Sequence, residues 1–174
     1  WLYALSQVAF RLLIYPVLLV FSQKRKQEIL KKFGLDVSPI PNEKIIRVHS
    51  LNSDSGRQLL QQIHPDLVLV NGTRILSQKT LECIAAPFIN IHTGITPAFR
   101  GVHGGYWAVA TGKKNLFGTT IHYVNTGIDT GDILVQTFSL PEAKDNFYTY
   151  PYLQYAIILP SLLQVISLFA KGQK

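Results

Sequence analysis

Two short stretches hold the side chains best suited to chemistry. Asn90 and His92 stand two residues apart at the end of an apolar run, and residues 127–132 read Gly-Ile-Asp-Thr-Gly-Asp. If the run is a strand, alternation turns the Asn and His side chains to one face. They offer an amide donor and a ring that changes charge near neutral pH, a pair able to stabilise an oxyanion. Asp129 and Asp132 flank a Thr-Gly turn, from which an acid can reach a neighbouring strand end. Taken singly, each stretch also has a plain explanation: an amide and an imidazole satisfying loop backbone, and a turn made of turn-forming residues. The five histidines are scattered without HExxH spacing, so no metal site is expected. A P-loop, a nucleophile elbow and a complete GxGxxG are missing as well.

The elements that must position these groups alternate along the chain. Residues 67–70 (Leu-Val-Leu-Val) are an unbroken apolar run, the mark of a strand buried on both faces; residues 88–91 read as the next buried strand, and residues 45–48 (Ile-Ile-Arg-Val) predict another strand. Between them, residues 51–64 predict a helix with Leu59, Leu60 and Ile63 on one face and Ser53 or Ser55 as its cap. A shorter helix runs from a Ser77 cap through Cys83. Strand, helix, strand, helix, strand with short connections implies an α/β fold with a mostly parallel sheet flanked by helices. Ligands bind beyond the carboxyl ends of such strands, where Asn90 and His92 fall. Further on come an irregular loop over 92–105, a helix over 106–111 ended by Gly112, and strands over 119–124 and 133–138. The last helix covers 150–170, with Pro151 in its first turn and a kink or break expected at Pro160.

Composition bounds the rest. The 174 residues suit one domain, and 47% apolar against 16% charged residues allows a buried core. The lone Cys83 excludes a disulfide framework and points to a reducing compartment, the cytoplasm. A net charge of +7 suits anionic partners, and part of it is clustered in Lys24, Arg25, Lys26, Lys31 and Lys32. No aromatics interleave with that cluster, so nucleic acid is not expected as a partner. Apolar stretches at 8–21 and 155–170 fall short of the about 20 residues that span a bilayer. Buried helices are expected in both places, ahead of a membrane contact. The chain begins at Trp1 and contains no Met, and is therefore read as processed or as part of a longer protein.

Four blocks occur in order: Phe-Ile-Asn-Ile-His at 88–92, Pro-Ala-Phe-Arg-Gly at 97–101, Gly-Thr-Thr-Ile-His at 118–122 and Gly-Ile-Asp-Thr-Gly at 127–131. Together they resemble the catalytic core of the 10-formyltetrahydrofolate-dependent formyltransferases, which include the glycinamide ribonucleotide, methionyl-tRNA and sugar-nucleotide enzymes. The resemblance covers about residues 45–140. It implies a Rossmann-like formyltransferase fold whose first strands are missing, in a single catalytic domain over 1–174. Within it, residues 1–33 are a helical insertion or N-terminal remnant, 45–140 the core and 150–170 a C-terminal helix.

The same resemblance implies roles. Asn90, His92 and Asp129 fall on the family's catalytic positions. Asn90 and protonated His92 would stabilise the oxyanion formed as a formyl group passes from a folate nitrogen to an amine, and Asp129 would hold His92 charged and help take the amine proton. Arg74, Ile75 and Leu76 would line the pterin pocket, with Asn125, Thr126 and Gly127 as its other wall and His122 as a neighbour. Arg100, Gly101 and His103 would meet the acceptor. The implied cosubstrate is 10-formyltetrahydrofolate, without a metal. The expected acceptor is a small primary amine, an amino sugar or sugar nucleotide. Hydrolysis of the same folate, or a non-catalytic membrane-associated module retaining the fold, are the other readings. The chain departs from the family's pattern at residues 93–97 (Thr-Gly-Ile-Thr-Pro) and at Asn125 and Thr126, changes of loop shape more than of chemical groups.

Overall fold

A computed structural model of the chain describes residues 2–173. Strands β1 (Val68–Val70), β2 (Phe88–His92), β3 (Gly118–Tyr123) and β4 (Ile133–Phe138) form one sheet in that order. β1 and β2 are parallel, joined across a short helix, whereas β2–β3 and β3–β4 are antiparallel. The α/β class stands, and the sheet is mixed where the alternating grammar suggested a mostly parallel one. The reason for β4 is connection length. Residues 124–132 are too few for a parallel crossover, which needs about a dozen residues or more, so β3 and β4 close as a hairpin.

Alternation across the two central strands separates core from site. Ile89 and Ile91 of β2, with Ile121 of β3, face the C-terminal helix, whose Ile158 and Leu162 complete that core. Asn90 and His92 point the other way, and the register sets His122 opposite Asn90 and Thr120 opposite His92. A second core on that side joins Leu60, Val70, Leu76 and Phe88. The helices that cover the sheet are capped as their sequences imply. The Ser53 hydroxyl accepts from the Gly56 amide at the start of one spanning Asp54–Ile63, and the Ser77 hydroxyl from the Thr80 amide at the start of one spanning Gln78–Leu81.

In chain order the helices are α1 (Leu2–Ala9), α2 (Tyr15–Phe21), α3 (Gln23–Phe33), α4 (Asp54–Ile63), α5 (Gln78–Leu81), α6 (Gly104–Ala110) and α7 (Tyr150–Ala170), with a π-helical turn at Phe10–Ile14 joining α1 to α2. Among the described residues α7 is the one helix long and apolar enough to cross a membrane. Its Leu153, Ala156, Ile158 and Leu162 are committed to the core. Pro160 does not break it: the proline is exposed, and buried Ile158 and Leu162 hold the helix to the sheet on either side.

Two expectations fail. Residues 45–48 are irregular and exposed, with Ile46 62% accessible, because among the described residues no strand lies beside them to complete a ladder. The apolar stretch 8–21 is helical but not buried: Leu12, Leu13 and Phe21 are 70%, 69% and 82% exposed. The space against the body is taken instead by α3, through Arg25, Ile29 and Leu30. Arg25 is itself buried. Its Nε and one terminal nitrogen grip the two Asp145 oxygens at 2.7 and 2.9 Å, and the same terminal nitrogen reaches Glu142 at 3.0 Å. Beside it the Asn146 amide donates to the Ser22 hydroxyl at 2.8 Å.

Candidate active site

The site is built on three backbone features. β2 ends in Asn90 and His92 on one face, β3 brings His122 directly across from Asn90, and the loop after β3 turns Asp129 back over them. The Asp129 backbone has φ +50°, in the left-handed region that short polar side chains tolerate better than most. The loop is tied down around it. Asn125 accepts from the Gly127 amide and the Thr130 hydroxyl, and Arg100 Nε donates to the Asp129 carbonyl at 3.1 Å. Gly131 passes so close to β3 that a Cβ there would stand 1.7 Å from the Tyr123 carbonyl, so only glycine fits.

His92 is held by a similar close approach. Its Nε2 donates to the Phe99 carbonyl at 2.7 Å, and its Nδ1 faces Asp129 Oδ2 at 3.4 Å. A carbonyl can only accept, so the first contact fixes a proton on Nε2, and the imidazolium form satisfies both acceptors at once. Gly94 makes this packing feasible: a Cβ there would lie 2.5 Å from His92 Nε2 and 2.4 Å from the Phe99 oxygen. The Thr-Gly-Ile-Thr-Pro departure thus includes the residue whose lack of a side chain lets the loop fold back onto the histidine.

Asp129 gathers the cluster. Oδ2 accepts from the Gly101 amide at 2.8 Å; Oδ1 accepts from the Asn90 amide at 3.3 Å and faces His122 Nε2 at 3.4 Å. His122 Nδ1 donates to the Tyr123 carbonyl at 2.8 Å. Burial opposes charge on both Asp129 and His122, but their mutual contact outweighs it. Hydrogen bonds from His122 and the Gly101 amide, with the His92 charge, hold the Asp129 carboxyl below its ordinary range. Hydrogen bonds to Asp129 and the Tyr123 carbonyl raise His122 above its ordinary value. His103 moves the other way, lowered by burial alone.

These groups lie in a cleft of about 670 Å³ beyond the ends of β1 and β2. One wall is residues 72–76, including Arg74, Ile75 and Leu76; the other is Asn125, Gly127, Ile128 and Asp129. Gly101, Val102 and His103 border it, and His122 sits inside the polar cluster rather than beside it. Two predicted residues do not line the cleft: Thr126, and Arg100, which serves as a tie to the Asp129 carbonyl. Sequence reasoning missed Tyr155, whose hydroxyl donates to Asn71 Oδ1 at 2.6 Å and closes one end. An aromatic inside an apolar helical run carries no signal of that kind, and only the packing of α7 on the sheet brings it there.

The fold is thus an α/β one whose mixed sheet carries an Asn-His pair at a strand end, with an acid on the facing loop. Residues 13–145 match the family described as formyl transferase, and the chain belongs to that family. It is 32% identical over 110 residues to the methionyl-tRNA formyltransferase of Clostridium tetani, covering 59% of this chain and 35% of that protein. The methionyl-tRNA formyltransferase of Kosmotoga olearia is 29% identical over 144 residues, 78% of this chain and 45% of that protein. The chain thus spans less than half the length of these relatives. Among solved structures, phosphoribosylglycinamide formyltransferase from Bacillus halodurans is 32% identical with a TM-score of 0.51, covering 61% of this chain and 58% of that one. Glycinamide ribonucleotide transformylase 1 from Symbiobacterium toebii, 24% identical over 82% of this chain and 67% of that one, shares the fold with a TM-score of 0.63.

Proposed function

We propose that the cleft transfers a formyl group from 10-formyltetrahydrofolate to the primary amine of a small acceptor, with an amino sugar the first to try. The observation that carries this reading is the convergence of Asn90 and His92, from one strand end, with Asp129, from the facing loop, in one cleft. The cleft fits such a donor. Val70, Ile75, Leu76 and Ile128 give it apolar walls for a flat bicyclic ring, while the backbone of 72–74 and 125–129 can meet the ring's polar edge.

The residues divide the work by position. As the amine adds to the formyl carbon, negative charge gathers on its oxygen. The Asn90 amide donates to that oxygen, one such donor being commonly worth about 2.7–4 kcal/mol of barrier, and the His92 ring, held by Asp129 and the Phe99 carbonyl, offsets the charge from beside it. Asp129 orients both donors through its two oxygens and takes the proton that the amine must lose, directly or through water. The C–N bond to the folate nitrogen then breaks, and that nitrogen leaves with a proton. His122, anchored to the Tyr123 carbonyl, keeps the Asp129 carboxylate ionised and in place.

Incubating the chain with 10-formyltetrahydrofolate and a panel of amines tests the reading. The expected result is release of tetrahydrofolate that depends on an amine, together with a formylated product, and its loss in His92→Ala. Release that proceeds equally without any amine would replace transfer by hydrolysis. Unimpaired transfer by His92→Ala would remove the histidine from the chemistry.

A further inference from the structure

The N-terminal helical stretch has the opposite character to the cleft. No described side chain between residues 5 and 21 is buried, although the stretch includes Leu5, Val8, Leu12, Leu13, Ile14, Val17, Val20 and Phe21. Contact with the body runs through Phe10, whose ring meets Phe147 edge-on at 5.2 Å, and Tyr15, which meets Tyr148 at 5.9 Å. The remaining circumference is largely apolar and open to solvent. An exposed apolar surface of this extent marks a surface made to be covered.

What covers it is indicated by the charges that adjoin it. Lys24, Lys31 and Lys32 of α3 are exposed, and among the described residues none has an acidic side chain within ion-pair distance. The acids nearby are already engaged: Glu28 by Lys144 and Arg25, Asp145 by Arg25. Arg11 stands exposed within the apolar stretch itself, where its long stem can keep the guanidinium at a headgroup layer while the neighbouring leucines go deeper. A second copy seated on this surface with its helices running the same way would set the same unpaired lysines against each other. An apolar helix with free lysines at its end instead complements a layer that is hydrocarbon inside and negatively charged at its surface.

We propose that α1 and α2 dock the protein on an anionic phospholipid bilayer, lying in the interface with the α3 lysines on the headgroups. Arg11 and Pro16 within the stretch favour that in-plane position over a span. The Arg25–Asp145 clamp and the Asn146–Ser22 bond then become the rigid link between the docked helices and the body. The docked stretch also lies near one edge of the cleft. Phe147 stacks between Phe10 and His103, with ring centroids at 5.2 and 4.8 Å, and His103 borders the cleft. This inference is independent of the transfer chemistry, since the docking surface includes none of Asn90, His92, His122 and Asp129.

Flotation of the chain with vesicles tests it, because aggregates do not float. Vesicles of phosphatidylcholine and phosphatidylglycerol at 3:1 should carry the protein upward, and pure phosphatidylcholine much less. The double change Lys31→Ser and Lys32→Ser should lower partitioning by about 25-fold, at about fivefold per lysine. The triple change Leu12→Ser, Leu13→Ser and Val20→Ser should abolish flotation while circular dichroism and folate binding stay unchanged, since these side chains pack on nothing in the body. Failure of the folded wild-type chain to float with the anionic vesicles overturns the proposal. So does a concentration-dependent dimer that the triple change dissociates while vesicles take up no protein; the occupant would then be a second copy.

Discussion

Asp145 and Asp129 both meet cations, and the two are built differently. Asp145 is saturated: its side chain has no solvent exposure, Arg25 grips both oxygens at 2.7 and 2.9 Å, and the Glu142 amide and Thr149 hydroxyl fill the remaining sites. Asp129 keeps 14% of its side chain exposed at the edge of a cleft, with one short bond to the Gly101 amide and looser contacts of 3.3–3.4 Å to Asn90, His92 and His122. A guanidinium stays charged at any ordinary pH, so Asp145 can only hold. Imidazoles gain and lose protons near neutrality, so Asp129 can hold and also exchange. The first arrangement fastens α3 to the body, and the second suits a site that must handle a proton.

Breaking the saturated pair should give the largest change in stability. Arg25→Met leaves Asp145 buried without a counter-charge and is expected to cost about 3–5 kcal/mol in urea unfolding. Folate binding at the cleft by the folded fraction should be unchanged. Breaking the loose cluster should do the reverse. His92→Ala should lower the transfer rate by about 10²–10³-fold, with a smaller loss of stability than Arg25→Met.

The pH dependence sharpens the contrast. Asp129 is held below its ordinary value, so its contribution is fully present above about pH 4 and is lost as pH falls through its lowered folded value. His122 is raised, so its contribution is fully present below about pH 6.5 and is lost as pH rises through its raised folded value. The stability difference between wild type and Asp129→Asn should therefore be greatest between about pH 4 and 6.5 and shrink on both sides. For Asp145→Asn the difference should decline on the acid side alone, because Arg25 does not titrate. The smallest effect is expected at Arg100→Met, where loss of an exposed tie to the Asp129 carbonyl should cost about 1 kcal/mol or less in the same unfolding measurement.

Sequence and structure agree best where short-range pattern decides the outcome. The apolar runs at β1 and β2, the caps at Ser53 and Ser77, and the spacing of Asn90 and His92 are local signals, and the structure places these elements within a few residues of where the sequence reads them. Two of the four blocks include glycines, Gly118 and Gly131, at positions where a side chain would collide with the neighbouring backbone. Long-range features were hidden. Nothing local tells that Arg25, within a basic run, is buried against Asp145 while Lys24, Lys31 and Lys32 are not. The burial expected for residues 8–21 failed for the same reason: apolar composition says that a surface is made to be covered, not which molecule covers it. Tyr155 is equally silent in sequence, since its place at the cleft depends on how α7 crosses the sheet.

The measurement that bears most directly on the cleft is a calorimetric titration of the chain with a stable 10-formyltetrahydrofolate analogue. The account predicts saturable one-to-one binding, weakened by Ile75→Asp and Gly127→Val in the two walls and retained by Arg25→Met wherever that variant is folded. A folded chain that takes up no analogue, or binding indifferent to both wall changes, would contradict it.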